Sequence, residues 1–386
     1  MKITSTPQKF PEIVIVGSGL FGLTLAERIA NVLGREVLIL EKRGHIGGNA
    51  WSEFDEKTGI EVHKYGSHLF HTSNENVWKY VNQFTQFSNY RHQVWTKHED
   101  QFYSLPINLS TMSQFFGKAL SPKDAREIIT KEIDAYRMEG PPSFESTAIK
   151  TIGLSLYKAF IKGYTEKQWQ TDPQILPSEI FTRLPFRYDF NTHYFNDTYE
   201  GLPLDGYQNF ITNLIENKKI KIEIDVNQFD FKHYASSARL MIYTGPLDQF
   251  FNYKFGLLGW RTLDFEVQRL EIDDFQGASV INYADSSTPF TRIHEFQHLH
   301  PERSKKHAST IIMREFSRVS HESDEPYYPI NSEADRQALA SYRNLALGYK
   351  DVIFGGRLGT YKYLDMHMAI ASALAIFDNK VFPRFR

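Results

Sequence analysis

Glycines near the start of the chain have the spacing of a dinucleotide-binding turn. The run Gly17-Ser18-Gly19-Leu20-Phe21-Gly22 fits Gly-x-Gly-x-x-Gly, and Glu41 stands about 20 residues further on. In this motif the first glycine permits a tight turn, the second lets the backbone approach a pyrophosphate, and the third lets a helix pack closely on a strand. The acid accepts hydrogen bonds from a ribose diol. We therefore predict that Gly17, Gly19, Leu20, Phe21 and Glu41 bind a dinucleotide.

The segments on either side of the turn have the patterns that such a turn requires. The β-branched run Ile13 to Val16 is typical of a buried parallel strand, and Leu23 to Leu33 carries apolar residues on one helical face. A second apolar run, Val37 to Leu40, leads directly into Glu41. Strand, glycine turn, helix, strand and acid in this order place the phosphates at the N-terminus of the helix.

The loop after Glu41 bears on the choice between FAD and NAD. It contains a second glycine pair, in Lys42-Arg43-Gly44-His45-Ile46-Gly47-Gly48-Asn49, where NAD-binding domains usually begin another helix. An acid, basic residues and a glycine pair in this order resemble flavoproteins of the glutathione-reductase and amine-oxidase types. The resemblance implies FAD as the cofactor, with Lys42, Gly48 and Asn49 among its contacts.

The far end of the chain offers a second contact for the same cofactor. Val352 to Phe354 is a short strand pattern, Gly355 to Gly359 is a glycine-rich turn, and Asp365 precedes a helix-forming run from Met366 to Phe377. In many FAD proteins the positive end of such a helix lies at the pyrimidine side of the flavin and favours its anionic reduced form. An ordinary βα unit is the alternative interpretation.

Composition limits the other classes of function. The chain has 386 residues, so two or three packed units are expected. A net charge of −2 provides no field for nucleic acid or anionic lipid, and the absence of cysteine removes disulfides, thiolate metal sites and thiol nucleophiles. No apolar run approaches the roughly 18 residues of a membrane span, and residues 1–10 lack the apolar stretch of a signal peptide. We predict a cytoplasmic protein without a metal site and without nucleic-acid or membrane partners.

Patterns along the chain predict an α/β fold: a Rossmann-like FAD-binding domain with an inserted helical domain and an antiparallel β-sheet domain. The FAD-binding domain is predicted from residues 1–75, 208–250 and 344–386. The helical substrate domain, with a mobile loop, is predicted from 105–190, and the sheet domain from 76–104, 191–207 and 251–343. Within them we predict helices at Met112 to Leu120, Pro122 to Tyr136 and Ser143 to Trp169, and strands at Val267 to Ile272, Ala278 to Tyr283 and Ser309 to Phe316.

Seven further segments together resemble the bacterial UDP-galactopyranose mutase family. They are His63 to Thr72, Lys162 to Trp169, Arg183 to Arg187, Tyr194 to Asp197, Arg314 to Phe316, Glu325 to Pro329 and Gly356 to Asp365. With the glycine turn they cover the chain in order from residue 13 to residue 378, which makes them far more specific than the glycine motif alone. One departure is Ser67, where many members of the family have proline. This difference should change the stiffness of the loop more than its chemistry.

The resemblance implies an isomerase that interconverts UDP-galactopyranose and UDP-galactofuranose and supplies galactofuranose for cell-surface glycans. The family requires reduced FAD although no net oxidation occurs. The central-ring nitrogen of the flavin attacks the anomeric carbon and displaces UDP, the sugar ring opens as a covalent adduct and recloses at another hydroxyl, and UDP returns. The implied ligands are FAD, both ring forms of UDP-galactose, and UDP, and the implied assembly is a homodimer.

The resemblance also assigns residues to the nucleotide part of the substrate. Arg183 and Arg292 match two arginines that bind the diphosphate and stabilise the departing UDP, because arginine offers phosphate oxygens a planar bidentate contact. Phe160 and Tyr164 are four residues apart, share one face of a predicted helix and match positions that hold uracil. A core stripe is the more common meaning of aromatic side chains at this spacing. The segment around Arg183 matches a mobile loop that closes over UDP.

The remaining assignments concern the sugar and the flavin. His68 and His71 lie in a segment that passes the flavin face, and a histidine there can move a proton; we place His68 nearest the reactive nitrogen. The predicted catalytic residues are thus Arg183, Arg292, His68 and His71. Glu315 matches a family acid, with a structural salt bridge as the alternative. The other implied contacts are Trp169 with the sugar, Tyr194, Tyr328 and Tyr363 with the diphosphate, and Arg357, Asp365 and Met366 with the flavin, Asp365 also with the sugar.

Some patterns favour other functions. His294-Glu295-Phe296-Gln297-His298 fits the zinc-protease motif His-Glu-x-x-His, but that motif requires a helix, and its flanks here resemble strands. In a strand, residues four apart are about 13 Å apart, too far to share one metal ion. An FAD-dependent oxidoreductase and a non-catalytic nucleotide-binding protein stay open as alternatives, although an amine or carotenoid substrate would not need the two arginines and the aromatic uridine set.

Overall fold

The structure, a computed structural model, describes residues 11–136, 141–183, 185–226, 238–303 and 308–386, with only the backbone of residues 182 and 183. Its strands are β1 (Ile13–Val16), β2 (Val37–Leu40), β3 (Ser52–Phe54), β4 (Glu61–His63), β5 (Phe70–Thr72), β6 (Val94–His98), β7 (Gln101–Leu105), β8 (Tyr199–Gly201), β9 (Ile220–Glu223), β10 (Leu240–Tyr243), β11 (Trp260–Leu270), β12 (Val280–Tyr283), β13 (Arg292–Glu295), β14 (Thr310–Val319), β15 (Tyr328–Pro329) and β16 (Val352–Phe354).

The α-helices are α1 (Leu20–Asn31), α2 (Glu75–Val81), α3 (Leu109–Phe115), α4 (Pro122–Ala135), α5 (Phe144–Ile152), α6 (Leu154–Leu156), α7 (Gly163–Trp169), α8 (Gly206–Leu214), α9 (Leu247–Phe250), α10 (Glu333–Ala346), α11 (Gly356–Thr360), α12 (Met366–Ile376) and α13 (Phe382–Phe385). Three segments are 3₁₀-helical, namely Ser178–Arg183, Phe296–Leu299 and Pro301–Arg303, and two are π-helical, namely Tyr157–Lys162 and Phe377–Val381.

A five-stranded parallel sheet in the order β16-β10-β1-β2-β9 forms the first layer. Its central strands are apolar because both faces are covered: Ile13 and Ile15 pack in the core that contains α1 and α12, while Val14 packs with residues of β10 on the other face. Each such side chain contributes about 1.5–3 kcal/mol on burial. The predicted strands β1, β2 and β16 and the Rossmann-like unit are confirmed.

A seven-stranded sheet in the order β15-β11-β14-β13-β12-β6-β7 forms the second layer. The prediction of an antiparallel sheet is wrong at one pairing, because β12 runs parallel to β6. The β6–β7 hairpin lies early in the chain and β12 lies much later. No tight turn connects β6 to β12, so none fixes the relative direction of these two strands. The other pairs of this sheet are antiparallel.

The helical unit has its own core and differs from prediction in one segment. The helix predicted from Ser143 to Trp169 is broken at Gly153, which has a φ of +81° and no room for a side chain, since a Cβ would lie 2.6 Å from Glu132 Oε2. The chain then continues through α6 and the π-helical segment to α7. The turn predicted at Gly355 to Gly359 is also helical in part, as α11.

No helix among the residues that the structure describes is long and apolar enough to cross a membrane.

Candidate active site

The glycine turn forms a backbone cradle at the start of α1. Gly17 has a φ of +99°, and a Cβ there would lie 2.1 Å from Thr244 Oγ1. Gly48 lies against Gly19, so closely that its Cβ would stand 3.0 Å from the Gly19 Cα atom. Gly19 is the N-cap of α1 and no side chain caps the helix, so the first N–H groups, near Leu20 and Phe21, are available to an anion.

Glu41 is almost fully buried beneath this turn, with 5% of its surface exposed. Its Oε2 atom accepts hydrogen bonds from the backbone N–H and the hydroxyl of Ser18, at 2.8 and 2.6 Å. Its Oε1 atom accepts one from the backbone N–H of Arg43 at 2.9 Å. The carboxylate therefore holds the turn in place; its contact with a ribose stays a prediction.

The basic residues after Glu41 converge on an acid from the other end of the chain. Glu325 forms ion pairs with Lys42 Nζ at 2.8 Å and with Arg43 Nη2 at 2.5 Å, and Arg43 also donates to Asn49 Oδ1 at 3.0 Å. The Arg43 Nη1 atom is buried without a hydrogen-bond partner in the part of the chain that the structure describes. An unpaired buried guanidinium nitrogen beside the glycine cradle fits a phosphate-bearing cofactor. Sequence reasoning did not assign Arg43 or Glu325, although both lie in the segments that carry the resemblance.

His68 is held in one tautomer by its own loop. Its Nδ1 atom lies 2.8 Å from the carbonyl oxygen of Gly66, which can only accept, so Nδ1 carries the proton and Nε2 has the free lone pair. Burial lowers the pKa of His68, the Gly66 carbonyl opposes this and the nearby Arg357 adds to it, and the net pKa is about 4. The ring is thus neutral at pH 7 and is an acceptor at Nε2.

Arg357 brings a positive charge without a paired carboxylate to the other end of the site. It donates to the carbonyl oxygens of Tyr327 and Pro326 at 2.6 and 3.0 Å, and no acid forms an ion pair with it among the described residues. Burial lowers its pKa. The helix α12 begins close by at Met366, and Asp365 does not cap it, since the Asp365 carboxylate accepts from the Tyr363 hydroxyl at 2.8 Å. Both features favour an anion at this position.

Arg292 is the centre of a second group. It extends from β13, donates to the Tyr164 hydroxyl, and its Nε atom lies 3.4 Å from Glu315 Oε1. Burial lowers the pKa of Arg292, but the carboxylate of Glu315 and the hydroxyls of Tyr164, Tyr328 and Tyr194 outweigh burial and raise it well above its usual value. The guanidinium is thus a permanent cation within electrostatic reach of three tyrosines that were predicted to bind the same ligand.

The tyrosines connect the two arginines. Tyr328 stacks on Tyr363 with ring centroids 5.9 Å apart, and both Arg292 and Arg357 act on the Tyr328 hydroxyl. Burial raises the pKa of Tyr328 to about 12, so its hydroxyl stays protonated and can donate. The four tyrosines of this site, namely Tyr164, Tyr194, Tyr328 and Tyr363, are partly buried and keep some accessible surface.

His71 lies beside this group with a carboxylate behind it. Its Nδ1 atom is 2.5 Å from Asp197 Oδ2, and its ring stacks on Phe195 with centroids 3.7 Å apart. Burial raises the pKa of Asp197, but Ser73 and His71 outweigh burial and lower it, so the carboxylate is ionised and His71 donates through Nδ1. Sequence reasoning did not assign Asp197, although it ends the quoted segment Tyr194 to Asp197.

Not every predicted residue joins this group. Phe160 is buried and packs on Tyr103 and Phe115, with ring centroids at 4.9 and 5.3 Å, inside the core of the helical unit. Trp169 ends α7 and packs half-buried against the same core. The Arg183 side chain lies outside the described residues, as does residue 184 of the predicted mobile loop. The roles predicted for these three residues stay predictions.

Lys167 fastens α7 to the segment that leads into β13, and sequence reasoning did not assign it. Its Nζ atom donates to the carbonyl oxygens of Tyr283, Asp285 and Phe290 at 2.6, 2.9 and 3.0 Å. Burial lowers the pKa of Lys167 to about 8. Because Tyr164 lies on α7 and Arg292 follows the segment that Lys167 holds, we expect this lysine to help set the distance between the two. A lone lysine on a helix carries no sequence signal for such a role.

The two histidines of the His-Glu-x-x-His run do not lie at one metal site, although Glu295 and His298 of the run lie with Asp274 close enough for one ion. His294 lies on β13 and bonds to Glu315, whereas His298 lies on a 3₁₀ turn and pairs with Asp274 and Glu295. Another group, Glu61, His63 and His300, lies close enough for one ion. There, however, His63 Nδ1 accepts from the backbone N–H of His68 at 3.0 Å, so the proton is on Nε2 and that atom cannot ligate a metal.

Comparison with known proteins gives this site a family. The family described as UDP-galactopyranose mutase matches residues 159–363, and the family described as NAD(P)-binding Rossmann-like domain matches residues 15–84. A probable UDP-galactopyranose mutase of Klebsiella pneumoniae is 42% identical over 95% of this chain and 94% of its own. A dTDP-fucopyranose mutase of Escherichia coli is 39% identical over 94% of this chain and 96% of its own.

More distant comparisons agree. The UDP-galactopyranose mutase of Mycoplasma pneumoniae is 30% identical over 94% of each chain. A crystal structure of reduced UDP-galactopyranose mutase has the same fold, with a TM-score of 0.73 over 97% of this chain and 94% of its own at 15% identity. A putative protoporphyrinogen oxidase from Exiguobacterium shares the fold more loosely, with a TM-score of 0.62 over 96% of this chain and 98% of its own at 14% identity. From the extent of the matched family and the identity of these relatives, the chain belongs to the UDP-galactopyranose mutase family.

Proposed function

We propose that this protein interconverts the pyranose and furanose forms of UDP-galactose and that it requires reduced FAD to do so. The observation that carries the proposal is the group of Arg292, Arg357 and the tyrosines between them, beside the glycine cradle of α1. Arg292, held by Tyr164 and Glu315, suits a diphosphate. Arg357, which has no paired acid among the described residues, suits an anionic ring. Family membership supplies the reaction type.

FAD fits the residues that the structure brings to the cofactor side. The uncapped N-terminus of α1 and the unpaired Arg43 Nη1 atom suit its pyrophosphate, and Arg357 with the N-terminus of α12 suits the negative charge of its reduced ring. Reduced FAD, when bound, would supply the nucleophile for the anomeric carbon of the sugar. Lys42, Gly48 and Asn49 would line the loop along it.

The chain's own residues would bind and orient the substrate. Arg292 would hold the diphosphate through the bidentate contact that guanidinium groups make, and would stabilise the charge that develops as UDP departs. Arg183, from the predicted loop, would add a second such contact. The hydroxyls of Tyr194 and Tyr328 would donate to the same oxygens, and burial keeps the Tyr328 phenol protonated by raising its pKa to about 12. The Tyr363 hydroxyl, which donates to Asp365, would have to turn away from that carboxylate to join them.

Two histidines would take part in proton transfer. His68 offers a lone pair at Nε2 and can accept a proton from a sugar hydroxyl, but it cannot donate from that atom at pH 7. His71 donates Nδ1–H to Asp197, which leaves its Nε2 atom as the reactive one and stabilises the imidazolium that forms if Nε2 takes a proton. His68 is therefore the stronger candidate for contact with the reacting centre.

A second candidate substrate follows from the relatives. A dTDP-fucopyranose mutase is nearly as similar to this chain as the probable UDP-galactopyranose mutase, at 39% against 42% identity. The two nucleotides differ at the ribose 2′ position and at a ring methyl, and the two sugars differ at one hydroxyl. A site of this kind can discriminate strongly only where a buried polar group loses its partner.

The test is a substrate panel. FAD-loaded, dithionite-reduced protein is incubated with UDP-galactofuranose and, separately, with dTDP-fucofuranose, and the products are separated by HPLC. We expect at least about tenfold higher kcat/KM for the UDP-sugar. A preference for the dTDP-sugar would replace the proposed substrate but keep the reaction, whereas turnover of neither sugar by fully loaded protein would favour an FAD-dependent oxidoreductase.

Supply of galactofuranose to surface glycans, a cytoplasmic location and a homodimer belong to the same proposal. Light scattering on the purified protein tests the assembly directly.

A further inference from the structure

Two hydrogen bonds run from the histidine loop to Glu315, and the Glu315 carboxylate forms an ion pair with Arg292. The Ser67 hydroxyl oxygen lies 2.8 Å from His294 Nδ1. His294 Nε2 lies 3.1 Å from Glu315 Oε2, and the other oxygen of that carboxylate is the one that faces Arg292 at 3.4 Å. Ser67 and Arg292 are 225 positions apart in sequence, yet two side chains suffice to connect them.

The positions of the protons along these hydrogen bonds follow from which atoms can donate and which can only accept. The pKa of Glu315 is raised by burial, but Arg292 and His294 outweigh burial and hold it at about 2, so the carboxylate is ionised and can only accept. His294 must then donate through Nε2. Its Nδ1 atom is left with a lone pair, which accepts the hydroxyl proton of Ser67.

Burial restricts His294 and Glu315 to these hydrogen-bond partners. His294 is 2% and Glu315 3% exposed, so neither can exchange a protein partner for water without cost. Glu315 is held from both sides, by His294 at Oε2 and by the Thr291 hydroxyl at 3.3 Å from Oε1. If His294 turned away, Glu315 Oε2 would lose its hydrogen-bond donor. The carboxylate would then no longer be fixed with Oε1 facing Arg292.

We propose that His294 is a positioning residue for Arg292, and that the Ser67 hydroxyl locks it in the orientation that does this. The inference rests on the proposed function, because it takes Arg292 to bind the diphosphate. It also gives a role to the first histidine of the His-Glu-x-x-His run. The same loop carries His68, so it links the predicted flavin-facing residue to the arginine that receives the leaving UDP.

The experiment is a double-mutant cycle on UDP binding. FAD-loaded, oxidised protein is titrated with UDP by isothermal calorimetry, so that no turnover is needed. We expect Ser67→Ala to weaken UDP binding about threefold to tenfold, and Ser67→Thr, which keeps the hydroxyl, to bind like the parent. In an Arg292→Ala background, Ser67→Ala should change binding by less than about twofold, because Glu315 then has no arginine to position.

Two further variants isolate the effect. His294→Gln keeps an N–H for Glu315 but loses the acceptor for Ser67; it should match Ser67→Ala, and combining the two should add nothing. Ser279→Ala also removes a serine hydroxyl, a more deeply buried one that bonds to Tyr90 at 2.7 Å, and should leave UDP binding unchanged.

The outcomes separate this inference from the proposed function. If Arg292→Ala binds UDP as well as the parent, the diphosphate assignment itself is wrong. If Arg292→Ala weakens binding but Ser67→Ala and His294→Gln do not, or if they weaken it equally in both backgrounds, His294 is not a positioning residue.

Discussion

The proposed cofactor side and the proposed substrate side of this molecule are built in different ways. On the cofactor side, one short stretch from β1 to β2 provides the strand, the glycine turn, the helix N-terminus and Glu41, which bonds to Ser18. On the substrate side, Arg292 meets Tyr164 and Glu315 from other elements, and His71 meets Asp197 from a distant strand end. The first site is made mainly of backbone and the second mainly of side chains.

This difference explains what each substitution should do. A change in the glycine cradle alters the path of the backbone and should affect FAD retention. A change in the side-chain group should affect the substrate and leave FAD in place, because its members reach the site on separate elements.

Removing Arg292 should have the largest effect on the substrate side. Arg292→Ala should reduce kcat/KM about 10²–10³-fold, since the departing UDP loses its main fixed cation. FAD content, read from the absorbance of the purified protein, should stay at the parental level. Arg292→Lys is the matched variant and should recover only part of the loss, because an ammonium cannot bind two phosphate oxygens in one plane. Loss of FAD in Arg292→Ala would break the separation between the two sides.

Gly17→Ala should have the opposite effect, namely loss of FAD. The substitution places a Cβ 2.1 Å from Thr244 Oγ1 at a φ of +99°, so the turn must shift. We expect FAD affinity to fall about tenfold or more, measured by titrating apoprotein with FAD. Gly117→Ala is the control: its φ of +66° is also left-handed, but no atom lies within 4 Å of the added Cβ. It should cost stability without loss of FAD, and equal FAD loss in both variants would contradict the role of the cradle.

Lys167→Met should reduce turnover about tenfold to 100-fold without loss of FAD, because the segment before Arg292 is no longer held by three donated hydrogen bonds. Steady-state kinetics and flavin absorbance measure the two quantities. An unchanged kcat/KM would show that the distance between α7 and β13 is set elsewhere.

The same lysine predicts a pH dependence with a defined sign. Its pKa in the folded protein is about 8, below the usual 10.5, so the folded state binds fewer protons than the unfolded state between these values. The free energy of unfolding should therefore rise with pH in this window relative to Lys167→Met, as the cost of burying the charge disappears. Turnover should fall over the same range, because the neutral amine has one N–H fewer. Urea titrations at pH 7.5 and 9.5 on both proteins test the sign.

Asp197→Asn should have the smallest effect. Asparagine keeps the shape but can no longer stabilise a protonated His71, and we expect kcat to fall about threefold to tenfold with UDP binding unchanged. Steady-state kcat and a UDP titration by calorimetry are the measurements. A change in UDP binding instead would place Asp197 at the diphosphate.

How much of the structure could be predicted from sequence depends on the same contrast between local and distant contacts. The strands β1, β2 and β16 and the Rossmann-like unit could be predicted because their signals are local: a β-branched run, glycines at fixed spacing and an acid at the end of a strand. Three features could not be predicted, because each depends on a partner from a distant segment. They are the parallel β12–β6 pair, the helix break at Gly153 and the hydrogen bonds of Lys167.

The site residues show the limit most clearly. Resemblance singled out Tyr164, Arg292 and Glu315, and the structure brings these three together. The resemblance also singled out Phe160, whose side chain packs inside the helical core and whose contact with uracil stays a prediction. Helical spacing indicates which side chains share a face, but not whether that face meets a core or a cleft.

The most direct test of the central claim is a turnover assay in two redox states. Purified, FAD-loaded protein is incubated with UDP-galactofuranose once with the flavin oxidised and once after reduction by dithionite, and UDP-galactopyranose is measured by HPLC. We predict conversion in the reduced state only. Equal conversion in both states, or none from reduced protein with full FAD content, would contradict the proposed use of reduced FAD.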